Sequence, residues 1–152
     1  MNTEAQRPAM FPDLRSAGAH HPLILVADDE VMIRNLVTLL MQDEGYAVLA
    51  AADGGEALEL SRNYPGTIDL VVTDVKMPRL NGTDLCARLL EERPGIKVLV
   101  MSSADMCEIV SQNVNLPFLP KPFDGETLKE RVRSLLAAPV GPRNFLAAST
   151  DP

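Results

Sequence analysis

Five short apolar runs, separated by stretches with room for a helix, constrain this chain more than any other feature. They cover residues 23–27, 46–51, 69–73, 96–101 and 116–119. Runs of four to eight residues are too short for helices, and unbroken apolar stretches such as Leu23-Ile24-Leu25-Val26-Ala27 and Leu70-Val71-Val72 are the pattern of strands buried on both faces. Between them, apolar residues fall at helical spacing. Ile33, Leu36, Val37, Leu40 and Met41 form one such stripe, predicted to lie on a sheet and ended by Gly45. Asp53 is the expected N-cap of a helix over 55–64 that Pro65-Gly66 stops. Leu85, Leu89 and Leu90 mark a helix between an Asn81-Gly82 turn and Pro94-Gly95, and Asp124 caps a last one carrying Leu128, Val132, Leu135 and Leu136. A weaker pattern over 105–113 reads as the fourth of five helices. Pro117 confines the run at 116–119 to a sheet edge or a strand's start. Strand and helix in alternation, with short connections, predict an α/β domain in three layers: a five-stranded parallel sheet covered on both faces.

Polar groups gather where these strands end. Asp28-Asp29-Glu30 follow the first, Asp74 the third, Ser102 the fourth and Lys121 the fifth, all on the carboxyl edge where open α/β sheets place their chemistry. In a sheet of order 2-1-3-4-5 the first and third strands are neighbours, and three carboxylates meet in one crevice. Like charges that close need a cation. Mg²⁺ suits carboxylates, a backbone carbonyl, water and a phosphate oxygen, while Lys121 and the Ser102 hydroxyl are suited to phosphoryl oxygens. Each group alone has an ordinary explanation: Asp-Asp-Glu as a favoured helix start, Asp74 as a turn residue, Ser102-Ser103 as a cap, Lys121 as a solvated charge. Their joint placement at four strand ends, in order, favours the chemical reading.

Composition narrows the classes. The 152 residues suit one domain with tails, and 46% hydrophobic with 23% charged is globular. A formal charge of −7 offers no basic footprint for nucleic acid. No apolar run approaches the roughly 18 residues of a membrane helix, and residues 1–21 hold no signal-peptide core. Cys86 and Cys107 are too few and too far apart for a disulfide framework or zinc site, and His20-His21 has no further ligand nearby. A cytoplasmic location and no membrane or direct nucleic-acid partner are expected. No nucleotide-binding glycine pattern occurs.

With those residues in view, the chain resembles a response-regulator receiver domain of two-component and phosphorelay signalling, over about residues 22–138. The matching motifs are Asp28-Asp29, the turn Thr73-Asp74-Val75-Lys76-Met77-Pro78 with Gly82 after it, Ser102, and Lys121-Pro122-Phe123. The resemblance implies a flavodoxin-like, doubly wound (βα)5 fold with strand order 2-1-3-4-5. It implies Asp74 as phosphoacceptor; Asp28, Asp29, Asp74 and the Lys76 backbone carbonyl around Mg²⁺; Ser102 and Lys121 on the phosphoryl group; and Phe118 as a switch aromatic. Pro78, Gly82 and Pro122 would be structural, with Lys121-Pro122 cis. The donor would be a phosphohistidine on a sensor histidine kinase or a histidine phosphotransfer protein, with self-catalysed transfer and hydrolysis rather than enzyme turnover. The surface of the fourth helix, fifth strand and fifth helix would then bind a downstream protein that the residues do not identify.

The sequence departs from the family at Ser102, where threonine is commoner, at Ser103, where alanine or glycine is usual, and in a short interval from Ser102 to Lys121. Flexible tails are expected at 1–21 and 139–152, hence a stand-alone receiver, with a receiver module of a hybrid-kinase phosphorelay as the alternative. A phosphatase of the haloacid dehalogenase type also uses a strand-end Asp, Mg²⁺, Ser and Lys, but Lys76 stands where its second carboxylate is needed. A scaffold that binds without phosphorylation would not require the full set Asp28, Asp29, Asp74, Ser102 and Lys121.

Overall fold

In a computed structural model, which describes residues 21–103 and 116–139, the apolar runs become five strands. They are β1 (Leu23–Ala27), β2 (Ala47–Ala51), β3 (Leu70–Asp74), β4 (Lys97–Ser102) and β5 (Phe118–Pro120). Four helices are described: α1 (Val31–Asp43), α2 (Gly54–Asn63), α3 (Gly82–Glu92) and α4 (Gly125–Ala137). The helix expected at 105–113, Cys107 and most of both tails lie outside the described residues. All strands are parallel, in the order β2-β1-β3-β4-β5, as the resemblance implied.

Because side chains alternate across a strand, each apolar run feeds two cores at once. Leu25, Val71, Val98 and Val100 face one side, where α2 and α3 lay Ala57, Leu58, Leu85 and Leu89 over them. Ile24, Val26, Leu70, Val72, Leu99 and Met101 face the other, under Val37 and Met41 of α1 and Leu128 and Val132 of α4. Burying such a side chain contributes about 1.5–3 kcal/mol, so polar residues are confined to the ends of these runs, as Thr73 is in β3. The first polar groups come where the strands emerge.

Local readings are corrected in three places. Asn81 is the N-cap of α3, its side chain accepting from the Asp84 N–H at 2.8 Å, where only a turn was expected. Pro117 precedes β5 instead of lying within the run 116–119; its carbonyl accepts from the Val100 N–H at 2.9 Å, which needs no donor of its own. Leu36 belongs to the predicted sheet-facing stripe of α1 yet is 44% exposed, because the stripe centres on Val37 and Met41 and each residue turns the helix by about 100°. Asp53 and Asp124 cap α2 and α4 as expected, and Gly45 follows α1 with φ 92°.

Cys86 of α3 is fully buried, and burial pushes its thiol up to about 12. It stays protonated at neutral pH. The native chain at pH 8 is expected to leave Cys86 unmodified by iodoacetamide, with alkylation only after denaturation; peptide mass spectrometry of both samples checks this.

Candidate functional site

The parallel register fixes where the acids stand. Thr73 of β3 lies opposite Ala27 of β1, and Asp74 opposite Met101 of β4. One step past Ala27 the chain leaves β1 as Asp28-Asp29, so two strand ends deliver three carboxylates to one edge of the sheet. One carboxylate oxygen from each of Asp28, Asp29 and Asp74 lies within 4.8 Å of the others. Asp28 is fully buried, Asp74 half-buried and Asp29 exposed.

Backbone and side-chain donors hold the cluster. Asp28 accepts from the Glu30 N–H at 2.8 Å through one oxygen and from Lys121 Nζ at 3.2 Å through the other. Asp74 accepts from the Val75 N–H at 2.9 Å, and its backbone carbonyl takes the Thr73 hydroxyl at 2.9 Å. Lys121 arrives from the residue after β5, 3.4 Å from Asp74 and 3.8 Å from Glu30. Its backbone N–H donates to the Ser102 carbonyl at 2.7 Å, and the Lys121-Pro122 peptide is cis, as expected.

Three carboxylates, those of Asp28, Glu30 and Asp74, thus lie within 4 Å of one ammonium, and the titration of Asp74 and Lys121 reflects it. Burial first, then the Asp28 charge, push the Asp74 carboxyl above the ordinary carboxylate range; Lys121 and the Val75 N–H oppose this without cancelling it. Burial alone would lower the Lys121 ammonium, but Asp74 and Asp28 outweigh it and hold it above the ordinary lysine value. An edge with several oxygen donors and a deficit of positive charge fits a hard divalent cation.

Lys76 is exposed and lines, with Asp29, Val75, Met77, Pro78 and Asn81, an open groove of about 450 Å³ beside the cluster. Ser102 is buried at the end of β4, and Phe118 is half-buried against the core on the α2 and α3 side. Gly82 donates its N–H to the Val75 carbonyl at 2.8 Å and packs directly on the carbonyl of Asp74. The sequence reading missed Arg34, whose guanidinium donates to the Asp28 backbone carbonyl at 2.9 Å and ties α1 to the acidic loop. A clue was available: a cation in a helix's first turn opposes the macrodipole and calls for a local partner.

A doubly wound sheet with an acidic crevice at its switch point, closed by a strand-end lysine, defines a class of α/β domain. The family model for the response regulator receiver domain matches residues 24–133, and the chain belongs to that family. It is 37% identical over 123 residues to the alkaline phosphatase synthesis transcriptional regulatory protein SphR of Synechococcus elongatus, covering 74% of this chain and 48% of that one. It is 36% identical over 117 residues to the response regulator MprA of Mycobacterium leprae, covering 74% of this chain and 50% of that one. Over 116 residues it is 34% identical to the sensor kinase CckA of Brucella abortus, covering 74% of this chain but 12% of the kinase. The chain spans about half the length of these regulators. Among solved structures, the receiver domain of a hybrid histidine kinase CckA superposes with a TM-score of 0.64 at 37% identity, over 75% of this chain and 98% of that one. A response regulator receiver protein from Sinorhizobium medicae gives 0.71 at 29% identity, over 78% and 97%.

Proposed function

We propose that Asp74 accepts a phosphoryl group from a phosphohistidine and that the chain works as a switch or relay in a two-component pathway. The observation that carries this is the placement of Asp74: last in β3, inside the 4.8 Å acidic cluster and 3.4 Å from Lys121. An Asp74 carboxylate oxygen attacks phosphorus, the P–N bond to the donor imidazole breaks, and that nitrogen leaves with its electron pair and takes up a proton. Little covalent work falls to the protein beyond positioning and charge neutralisation. Asp28, Asp29, Asp74 and the Lys76 carbonyl are the groups that would hold Mg²⁺, which when bound neutralises charge on the phosphoryl oxygens. In this reading Lys121 pairs with a phosphoryl oxygen once Asp74 carries it, and the Ser102 hydroxyl donates to another. Phe118, at the start of β5, repacks when Ser102 moves and so alters the surface that β5 and α4 offer a partner.

The donor's seat is read from α1. Val31, Met32, Leu36 and Leu39 are 55%, 82%, 44% and 64% exposed, the large apolar side chains left uncovered among the described residues, and the helix carrying them starts two residues after Asp29. An apolar helix face leading to the acceptor suits a helical phosphohistidine carrier, a sensor kinase or phosphotransfer protein. We read residues 22–138 as the receiver, acting in the cytoplasm; a receiver module of a hybrid-kinase phosphorelay is the second reading, favoured by the match to CckA. No helix among the described residues is long and apolar enough to cross a membrane.

The test is incubation with Mg²⁺ and either acetyl phosphate or a phosphorylated histidine carrier, followed by intact mass measurement and acid treatment. One acid-labile phosphoryl group, absent without Mg²⁺, is expected; no label from either donor refutes the proposal. Met32→Asp is expected to slow transfer from the carrier about tenfold, the effect of losing an interface anchor, while labelling by acetyl phosphate is unchanged. Equal rates for both proteins with the carrier would remove α1 from the docking face.

A further inference from the structure

Arg79 is the one non-glycine residue with positive φ among those described, at 73°. The Leu80 N–H donates to the Pro78 carbonyl at 2.8 Å, two residues back, which closes a γ-turn around Arg79. That turn is rare and strained, and such a conformation persists only where its surroundings hold it. Here the surroundings are the first turn of α2. A Cβ at Gly54 would stand 2.0 Å from the Leu80 carbonyl oxygen and 2.8 Å from its carbon, so Leu80's backbone rests where any side chain would have to be. A Cβ at Gly55 would fall 2.1 Å from Nη2 of Arg79, whose guanidinium covers that glycine. The same guanidinium reaches Asp53 Oδ1 at 3.3 Å, the oxygen that also caps α2 through the Glu56 N–H at 2.8 Å. At the loop's other end the Gly82 N–H holds the Val75 carbonyl at 2.8 Å. The segment between these two anchors contributes Lys76, Met77 and Pro78 to the groove that Asp29 shares.

From this we infer that Gly54, Gly55 and Arg79 are positioning residues: α2 is a seat that holds the loop after Asp74 in the shape its backbone needs to meet a divalent cation. The inference rests on the metal reading above and adds to it a dependence on a helix that contributes no ligand. Two bare glycines in a helix's first turn let the loop backbone lie against the helix, and Arg79 locks it there from above. Without the seat the γ-turn relaxes, and the loop backbone around Lys76 loses its place in the groove that Asp29 shares. Residues that orient metal ligands without touching the metal typically change affinity by about 10- to 100-fold when removed.

The test uses the full chain with Arg79→Gly, Arg79→Lys and Gly54→Ala. Arg79→Gly accepts the positive φ and loses only the clamp. Mg²⁺ affinity by titration calorimetry is read beside hydrogen exchange of the Leu80 and Gly82 amides and thermal unfolding, both without metal. Expected are an affinity about tenfold weaker in Arg79→Gly, toward the lower end of such effects, and faster exchange at Leu80, with melting close to the unsubstituted chain and Arg79→Lys in between. Gly54→Ala should show at least as large a loss; if it does not fold, Arg79→Gly decides alone. Unchanged affinity in Arg79→Gly overturns the inference while leaving the metal site standing. No Mg²⁺ binding by the unsubstituted chain overturns both.

Discussion

Asp74→Asn is expected to carry no acid-labile phosphoryl group under conditions that label the unsubstituted chain, and to melt at a higher temperature when no divalent cation is present. The first outcome follows from chemistry: an amide oxygen is too poor a nucleophile to form the acyl phosphate. The second follows from the charge surplus around Lys121. Burial and Asp28 raise the folded-state pKa of Asp74 above its unfolded value, so the folded chain binds a proton there more readily than the unfolded one. An acid shifted that way destabilises the fold progressively as pH rises above its unfolded pKa toward the folded one, and the penalty is relieved as pH falls back toward the ordinary carboxylate range. At pH 7, above the unfolded value, the penalty is present, and the amide removes it. Lys121 acts with the opposite sign, because its raised pKa contributes stability that is present at neutral pH and lost only on the alkaline side. Its ion pairs to Asp28 and Glu30 survive the substitution, so the net change is expected to favour the variant by a few degrees. Mg²⁺ should reverse the order: at a hundredfold excess over its Kd a ligand adds about 2.7 kcal/mol, and the variant has lost one of the carboxylates that would bind it. Differential scanning calorimetry at pH 5 and 7, with and without Mg²⁺, checks all of this. Label retained in Asp74→Asn, or melting below the unsubstituted chain in cation-free buffer at pH 7, would refute it.

Much of this site could be read before any coordinates because its parts are announced by strand ends. A run such as Leu70-Val71-Val72 must be buried on both faces, and the first residue that cannot be, Asp74, marks the carboxyl edge. Asp28 and Lys121 are located by the same reasoning, and parallel pairing brings them together whatever the loops do. What stayed hidden depends on partners far along the chain or on single backbone angles. Arg79 has no composition cue for a left-handed turn, and the position of Arg34 in the first turn of α1 calls for a nearby acceptor without saying that it is the Asp28 carbonyl. Arg93 is a similar case, donating to Ser61, Tyr64 and Gly66 carbonyls at 2.7 Å and so satisfying the end of α2 from the residue that caps α3. Asn81 and Leu36 were misjudged for a local reason: a turn signal and a cap signal use the same side chain, and a helical stripe does not say which of its edges meets the sheet.

Gly82→Ala is expected to damage both the fold and the phosphoacceptor, and the two effects separate by comparison with a second glycine. A Cβ at position 82 would lie 1.9 Å from the Asp74 carbonyl oxygen, 2.9 Å from its carbon and 3.1 Å from the Val75 Cα, all backbone atoms that no rotamer change can clear. Either α3 moves off the sheet or the end of β3 bends. Overpacking of this kind destabilises by about 1–3 kcal/mol, and the better helix propensity of alanine, worth up to ~1 kcal/mol, offsets only part of it. The displaced atoms belong to Asp74 itself, and a reacting group misplaced by about 1 Å loses on the order of 100-fold in rate. Gly45→Ala is the comparison. Position 45 has φ 92°, so alanine is strained there and stability falls by roughly 1 kcal/mol, yet no atom lies within 4 Å of the added Cβ and the site is untouched. Urea unfolding should therefore show both variants destabilised, while phosphorylation by acetyl phosphate and Mg²⁺ slows in Gly82→Ala alone. Equal labelling rates in the two variants, both still folded, would mean that the close contact between α3 and the end of β3 does not set the position of Asp74.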